Sequence, residues 1–274
     1  MRFRRMVEEG GAYMDMASEL AVGDLLEIVR NHRYGVEYQP IVALHSGDTV
    51  GYEALARFYS EEGRSIPPDA VFKRIHDSPL MLFQVEFEIK QLQIRMAPKD
   101  ELLFLNVDPD AFVAFGVESS ENPLVQLIMR REASAVVEII ENTDVTHSRY
   151  SESMAEAFSQ AGIRLALDDL GAADSVVAFP VLIQVDFLKL DRHWLRRCDD
   201  RNWYIMAQSL ITFAHETGKQ VVVEGVETEA DLETASHLGA DFVQGFLFKE
   251  RFISRRHQDR RRPSTLDRQC TQSH

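Results

Sequence analysis

The sequence predicts a closed α/β barrel, a TIM-type (β/α)8 fold whose first strand runs antiparallel to the rest. Three observations carry that expectation. Eight short apolar runs are linked mostly by segments of helical periodicity, and such alternation builds a largely parallel sheet. The chain has 274 residues, which suits one domain of eight strands and their crossover helices. The first two runs are joined by a short turn, which makes a hairpin and therefore an antiparallel pair. An open doubly wound sheet is the alternative, but its G-x-G-x-x-G phosphate fingerprint is missing.

The elements follow in order. Residues 1–16 show little periodicity and read as a loose leader. A helical pattern runs from Met16 to Asn31, with Leu20, Leu25, Leu26 and Val29 on one side. Val36–Val42 and Val50–Phe58 are the first two strands, and His45-Ser46-Gly47-Asp48 is the turn between them. Pro67 and Pro68 open a helix that reaches Ile75, and a longer one covers Leu80–Met96. Leu102–Val107 is a strand, and helical segments then extend to Arg131. Ala135–Ile140 is a strand, Ser148–Ala161 a helix and Ile163–Leu167 a strand. After the strand Val185–Leu190 comes the helix Trp203–Glu216, stopped by Gly218. Gln220–Val223, the helix Glu229–Leu238 and the strand Phe242–Phe246 complete the set.

The barrel domain is thus expected over residues 17–253. Residues 254–274 hold six Arg and two Asp, with Pro, Ser, Gln and His around them, and read as a basic, disordered tail. The formal net charge is −14, so with the tail at +4 the body carries −18. That balance argues against binding duplex nucleic acid. No apolar run approaches the roughly 18 residues of a membrane span. No long apolar segment follows the basic N-terminus, so no signal peptide is expected. Cys198 and Cys270 are too few for a disulfide framework. Together these features point to the cytoplasm.

In such a barrel the side chains at the C-terminal strand ends converge. Read that way, the chain delivers Glu53 and Arg57, Asn106, Glu138 and Glu141, then Asp168 and Asp169. Lys189 and Asp191, Glu224 and Glu227, and finally Gln244 follow. Taken singly, each reads as a surface or helix-capping group. Their recurrence at equivalent ends is the signal. Asp168 and Asp169 are the sharpest case, because adjacent carboxylates at the end of a buried strand repel and are costly to desolvate. A cation offsets both costs. Carboxylates with an Asn carbonyl form an all-oxygen ligand set that suits Mg²⁺ or Mn²⁺ and suits zinc or copper poorly. This many acids favour two ions, a recurrent device for phosphoester displacement. Arg57 and Lys189 would then serve an anionic substrate.

Tyr38-Gln39-Pro40-Ile41-Val42 and Glu53-Ala54-Leu55-Ala56-Arg57 resemble the opening of the EAL domain, a bacterial cyclic di-GMP phosphodiesterase. The resemblance continues through Asn106-Val107, Glu138-Ile139-Ile140-Glu141, Asp168-Asp169-Leu170-Gly171 and Asp186-Phe187-Leu188-Lys189-Leu190-Asp191. It closes with Glu224-Gly225-Val226-Glu227-Thr228 and Gln244-Gly245-Phe246-Leu247-Phe248, and so spans residues 36–248. It implies Glu53, Asn106, Glu138 and Asp168 as ligands of one Mg²⁺ or Mn²⁺, and Asp169 with Asp191 as ligands of a second. Lys189 and Glu224 would position or activate water, and Glu141 would anchor the loop after Asp169. Gln39, Arg57 and Gln244 would lie on the substrate side. The implied reaction is hydrolysis of cyclic di-GMP to linear pGpG, and the implied assembly is a homodimer. Where the family has Phe-Gly-(Thr or Ala)-Gly-Tyr-Ser after the two Asp, this chain has Leu170, Gly171, Ala172, Ala173, Asp174 and Ser175. That departure keeps a second reading open, a receptor of the same fold that binds cyclic di-GMP without turnover. An unrelated Mg²⁺-dependent barrel enzyme is a third.

Overall fold

A computed structural model describes residues 20–257, except 115, 117–120, 132–133, 141–144 and 173–177. The elements in chain order are α1 (Val22–Arg30), β1 (Tyr34–Ala43), β2 (Thr49–Tyr59), β3 (Ser65–Ile66), α2 (Pro68–Ile75) and α3 (Pro79–Met96). Next come β4 (Leu102–Asn106), α4 (Pro109–Val113), α5 (Pro123–Met129), β5 (Ala135–Ile140), α6 (Val145–Gln160) and β6 (Arg164–Leu170). The remainder is α7 (Phe179–Gln184), β7 (Phe187–Leu190), α8 (His193–Arg196), α9 (Arg201–Glu216), β8 (Gln220–Val223), α10 (Glu229–Leu238), β9 (Phe242–Val243) and β10 (Ile253–Arg256).

Eight strands close on themselves in the order β1-β2-β4-β5-β6-β7-β8-β9 and back to β1. From β2 through β9 every neighbour is parallel, whereas β1 is antiparallel to both β2 and β9. The hairpin expectation explains this: a strand joined to the next by a tight turn must run the opposite way. Closure by the β1–β2 pairing rules out the open sheet. The barrel leaves two additions outside it, with β3 pairing the end of β2 and β10 pairing the start of β1.

Alternation along the strands sorts apolar residues into two cores. Ile41, Ala43, Phe104, Val136, Ala166, Phe187, Val222 and Phe242 form a cluster inside the barrel. Residues of opposite parity, among them Leu103, Leu105, Val137, Leu165, Leu188 and Val223, pack outward with the helices. Phe104 and Phe187 meet edge to face, 5.1 Å between centroids, and fill the barrel's axis. Gly51 is small because a Cβ there would stand 2.9 Å from the Cβ of Leu102 and 3.3 Å from the Phe104 ring.

Helix ends follow their expected chemistry. Thr228 and Asp231 form a reciprocal capping box at α10, and Gly239 closes that helix in a left-handed conformation. Asp108, Asn122 and Asp200 cap α4, α5 and α9.

Three expectations need correction. The first helix is described from Val22, and its buried stripe is Leu25, Ile28 and Val29, with Leu26 exposed. The last barrel strand stops at Val243 rather than Phe246, and Phe246–Arg251 is a 3₁₀ turn. Any Cβ at Gly245 would run into the backbone of Val226, so the chain turns there against a neighbouring loop. The short helices α7 and α8 have too few residues to show a period. Finally, the domain boundary expected at 253/254 falls inside β10: Gly35 pairs with Arg256 and Glu37 with Ser254. Residues 258–274 of the expected tail lie outside the described residues, as do residues 1–19.

Candidate active site

One full pleat further along each strand, the apolar plug gives way to polar groups. Counting two residues from the plug toward the mouth leads from Ile41 to Gln39, Phe104 to Asn106 and Val136 to Glu138. The same step leads from Ala166 to Asp168, Phe187 to Lys189, Val222 to Glu224 and Phe242 to Gln244. Gly51 to Glu53 is the eighth pair. Period two in every strand therefore stacks a ring of polar side chains on an apolar floor. Register ties the ring together, with Gln39 opposite Glu53 and Asn106 opposite Glu138.

Lys189 is fully buried at the centre of the ring. Its Nζ lies 2.6 Å from Glu224 Oε1, 3.0 Å from Asp168 Oδ1 and 3.4 Å from Glu53 Oε2, and it also pairs with Glu138 Oε1. Four carboxylates thus share one ammonium, and three of them, Glu53, Glu138 and Asp168, are nearly or wholly inaccessible. Glu224 is the most exposed of the four, at 15 %. Glu53 is held at both oxygens. Asn106 Nδ2 donates to Oε1 at 3.0 Å, and Gln244 Nε2 donates to Oε2 at 2.7 Å. The Asn106 amide nitrogen faces Glu53, so its carbonyl oxygen is the atom it could offer to a cation.

Asp169 reaches the site by a backbone irregularity. Strict alternation would send Asp168 inward and Asp169 outward. Between Leu167 and Leu170 the β6–β7 register shifts, and Asp169 has φ +56°. This left-handed kink is costly for a residue with a Cβ, although Asp tolerates it better than most. It brings one oxygen each of Asp168, Asp169 and Glu224 within 4.8 Å of one another. Gly171, at φ +87°, completes the exit, and its missing side chain makes room for the indole of Trp194. Trp194 Nε1 in turn donates to Leu170 O at 2.6 Å.

The donor set fits a hard divalent cation. All candidate ligand atoms are carboxylate or amide oxygens, their charge exceeds that of Lys189, and the buried Gln244 Oε1 has no hydrogen-bond partner.

The other expected site residues are distributed as follows. Asp191 begins the β7–α8 turn and accepts from the His193 backbone N–H at 2.9 Å, with the His193 ring against the same oxygen. Arg57 Nη2 lies 2.5 Å from Glu37 Oε1, and Gln39 Nε2 donates to that oxygen at 3.1 Å. Glu227 is exposed, 3.8 Å from Arg192. Glu141 lies outside the described residues.

Two features escaped the sequence reading. Glu37 was legible in principle, since it lies two residues from Gln39 on the same face. The buried acid behind the loop that follows Asn106 was not. Asp108 Oδ1 accepts from the backbone N–H groups of Asp110 and Ala111, and the Asp108 N–H donates to Glu86 Oε1 at 3.2 Å. Glu86 is buried and paired with Lys90 at 3.0 Å. Burial and the nearby Glu86 raise the Asp108 carboxyl above the ordinary carboxylate range.

The EAL domain model matches residues 22–251. The chain belongs to the EAL domain family. It is 25 % identical over 228 residues to the cyclic di-GMP phosphodiesterase PdeL of Escherichia coli K12, an alignment covering 80 % of this chain and 63 % of that protein. The chain therefore spans less than two thirds of this relative's length. The fold agrees with that of the PaMucR phosphodiesterase in a c-di-GMP complex at a TM-score of 0.69. That match has 22 % identity and covers 82 % of this chain and 94 % of that one. A Klebsiella pneumoniae BlrP1 manganese/cy-diGMP complex matches at 0.63, with 23 % identity, 79 % of this chain and 55 % of that one. Among the described residues of this EAL domain, no helix is long and apolar enough to cross a membrane.

Proposed function

We propose that this EAL domain is a divalent-cation-dependent phosphodiesterase that hydrolyses cyclic di-GMP to linear pGpG. The observation that carries the reading is the buried ring in which four carboxylates share Lys189, with Asp169 turned in beside them. Such a ring has an excess of negative charge deep in a barrel mouth, an arrangement that a structural role does not require. PdeL supports the substrate class, as a relative named for that activity.

Glu53, Asn106, Glu138 and Asp168 would hold one Mg²⁺ or Mn²⁺, and Asp169 with Asp191 a second. When bound, such ions supply positive charge against the substrate's phosphate. Glu224 is the ring acid nearest solvent, so we assign it to orient the attacking water and accept its proton. Lys189 holds Glu224 Oε1 in place and offsets the charge of the surrounding acids. Arg57 and Gln39, at the mouth, would meet phosphate, and Gln244 fixes Glu53. One water is consumed and one P–O bond opens, which leaves a linear dinucleotide with a terminal phosphate. Glu141 keeps its proposed place as the anchor of the loop after Asp169, and a homodimer in the cytoplasm is the proposed setting.

The test is product analysis by chromatography after incubating the purified chain with cyclic di-GMP and Mn²⁺. Linear pGpG, lost on chelation, is expected. Binding without product would favour the receptor reading, which the unusual sequence Ala172-Ala173-Asp174 motivates. Neither binding nor product would overturn both.

A further inference from the structure

The two groups proposed to meet phosphate, Arg57 and Gln39, both donate to one oxygen of one residue. Glu37 Oε1 takes Arg57 Nη2 at 2.5 Å and Gln39 Nε2 at 3.1 Å. The second Arg57 amino group donates to the Ala56 carbonyl at 2.8 Å. Glu37 owes this place to register. On β1 it falls between Gln39, which pairs with Glu53, and Gly35, which pairs with Arg57. Because β1 runs from the mouth inward, Glu37 stands one pleat nearer the mouth than Gln39. The pair is sheltered, with 14 % of the Arg57 side chain and 21 % of the Glu37 side chain accessible.

A guanidinium grips phosphate best through two parallel N–H donors. In this site one Arg57 amino group is committed to a carboxylate and the other to a main-chain carbonyl. Each amino group keeps a second N–H, but a phosphate that takes the edge facing Glu37 must displace the carboxylate or share its donor. Glu37 would also stand beside the incoming anion as a like charge, in a place where water screens it incompletely. We propose that Glu37 is an internal counter-ion that competes with the substrate's phosphate for Arg57 and Gln39 and so weakens nucleotide binding. The inference rests on the phosphodiesterase reading, which supplies the anionic substrate, and it adds a residue that sets the affinity.

The test is a double-mutant cycle on the full chain: wild type, Glu37→Gln, Arg57→Gln and the double variant. Binding of cyclic di-GMP is read by calorimetry with Ca²⁺ as the neutralising ion. Glu37→Gln keeps the shape and removes the charge, so it should bind about three- to tenfold more tightly. The gain should shrink clearly when Arg57 is already Gln, an outcome that a merely structural role would not produce. If circular dichroism shows Glu37→Gln misfolded, Glu37→Ala replaces it in the cycle. Unchanged or weaker binding by the Glu37 variant, or an equal gain without Arg57, overturns the role of Glu37 and leaves the phosphodiesterase reading standing. Binding by none of the four proteins overturns both.

Discussion

Glu53 shows how much one side chain can be asked to do. Its two oxygens accept from Asn106, Gln244 and Lys189, and it sits beside two other buried acids. Glu53→Gln keeps the shape and removes one negative charge from an over-acidic cluster. Melting temperature in EDTA is therefore expected to hold or rise, while turnover with Mn²⁺ should fall at least about 100-fold, the scale of a lost transition-state contact. Steady-state rates and a thermal melt on the same sample check both parts. Asp69, at the start of α2, is a second case. Burial pushes its carboxyl up to about 6, and its Oδ1 has no hydrogen-bond partner. A raised carboxyl holds its proton in the folded chain over a range where the unfolded chain has lost it. Its contribution is therefore fully present below the ordinary carboxylate value and is lost as pH rises through about 6. Asp69→Asn should gain about 1 kcal/mol over the wild type at pH near 8, after allowing for solvent screening. The gain should shrink to nothing near pH 4, and denaturant melts at the two pH values decide it.

At the scale of elements, β6 and β10 carry the most consequence. In β6 the kink at Asp169 is a local cost that the fold sustains through Trp194, which packs on Gly171 and bonds Leu170 O. In β10 the consequence is for stability. Four residues pair with β1 beside the mouth, Arg256 lies over the Tyr59 ring at 3.9 Å, and the ring of His257 stacks on that of His32. Truncation after Phe252 removes all of this and uncovers the edge of β1. It should lower the melting temperature by several degrees, on the order of 1–3 kcal/mol of lost pairing and cation–π contact. Truncation after His257 keeps β10 and should leave the melt nearly unchanged. Equal losses from the two truncations would show that β10 contributes nothing.

For the whole molecule the governing fact is charge. A body that carries −18 against the tail's +4 closes around a cluster of acids held by Lys189. An ion that binds only the closed barrel stabilises it by mass action, so the melting temperature should rise with Mn²⁺ concentration. Ca²⁺ should raise it as well, because oxygen ligands accept it at about 2.3–2.6 Å. Its looser geometry is expected to allow cyclic di-GMP to bind without hydrolysis, and added Mn²⁺ to restore turnover. Thermal shift, calorimetry and product chromatography check the three statements in turn. Brisk hydrolysis in Ca²⁺ alone would sink the expected dependence on ion geometry.

The barrel was legible in the sequence because its causes are local. Period two in the apolar runs, crossover helices between them, and a turn too short for a crossover between Val42 and Val50 suffice for the strands, their order and the reversed β1. Most of the polar ring was legible for the same reason, since each member lies two residues beyond a plug residue. What only tertiary structure decided involves residues distant in the chain. Asp169 faces the site through a register shift against β7 and a left-handed kink that no alternation rule gives. Gly245 ends β9 against the backbone of Val226. Residues 254–256 read as tail because they are basic and lack an apolar face, yet β1 supplies main-chain partners that do not depend on side-chain type. Arg57 is met by Glu37 because antiparallel pairing, not proximity in sequence, sets the two side chains together.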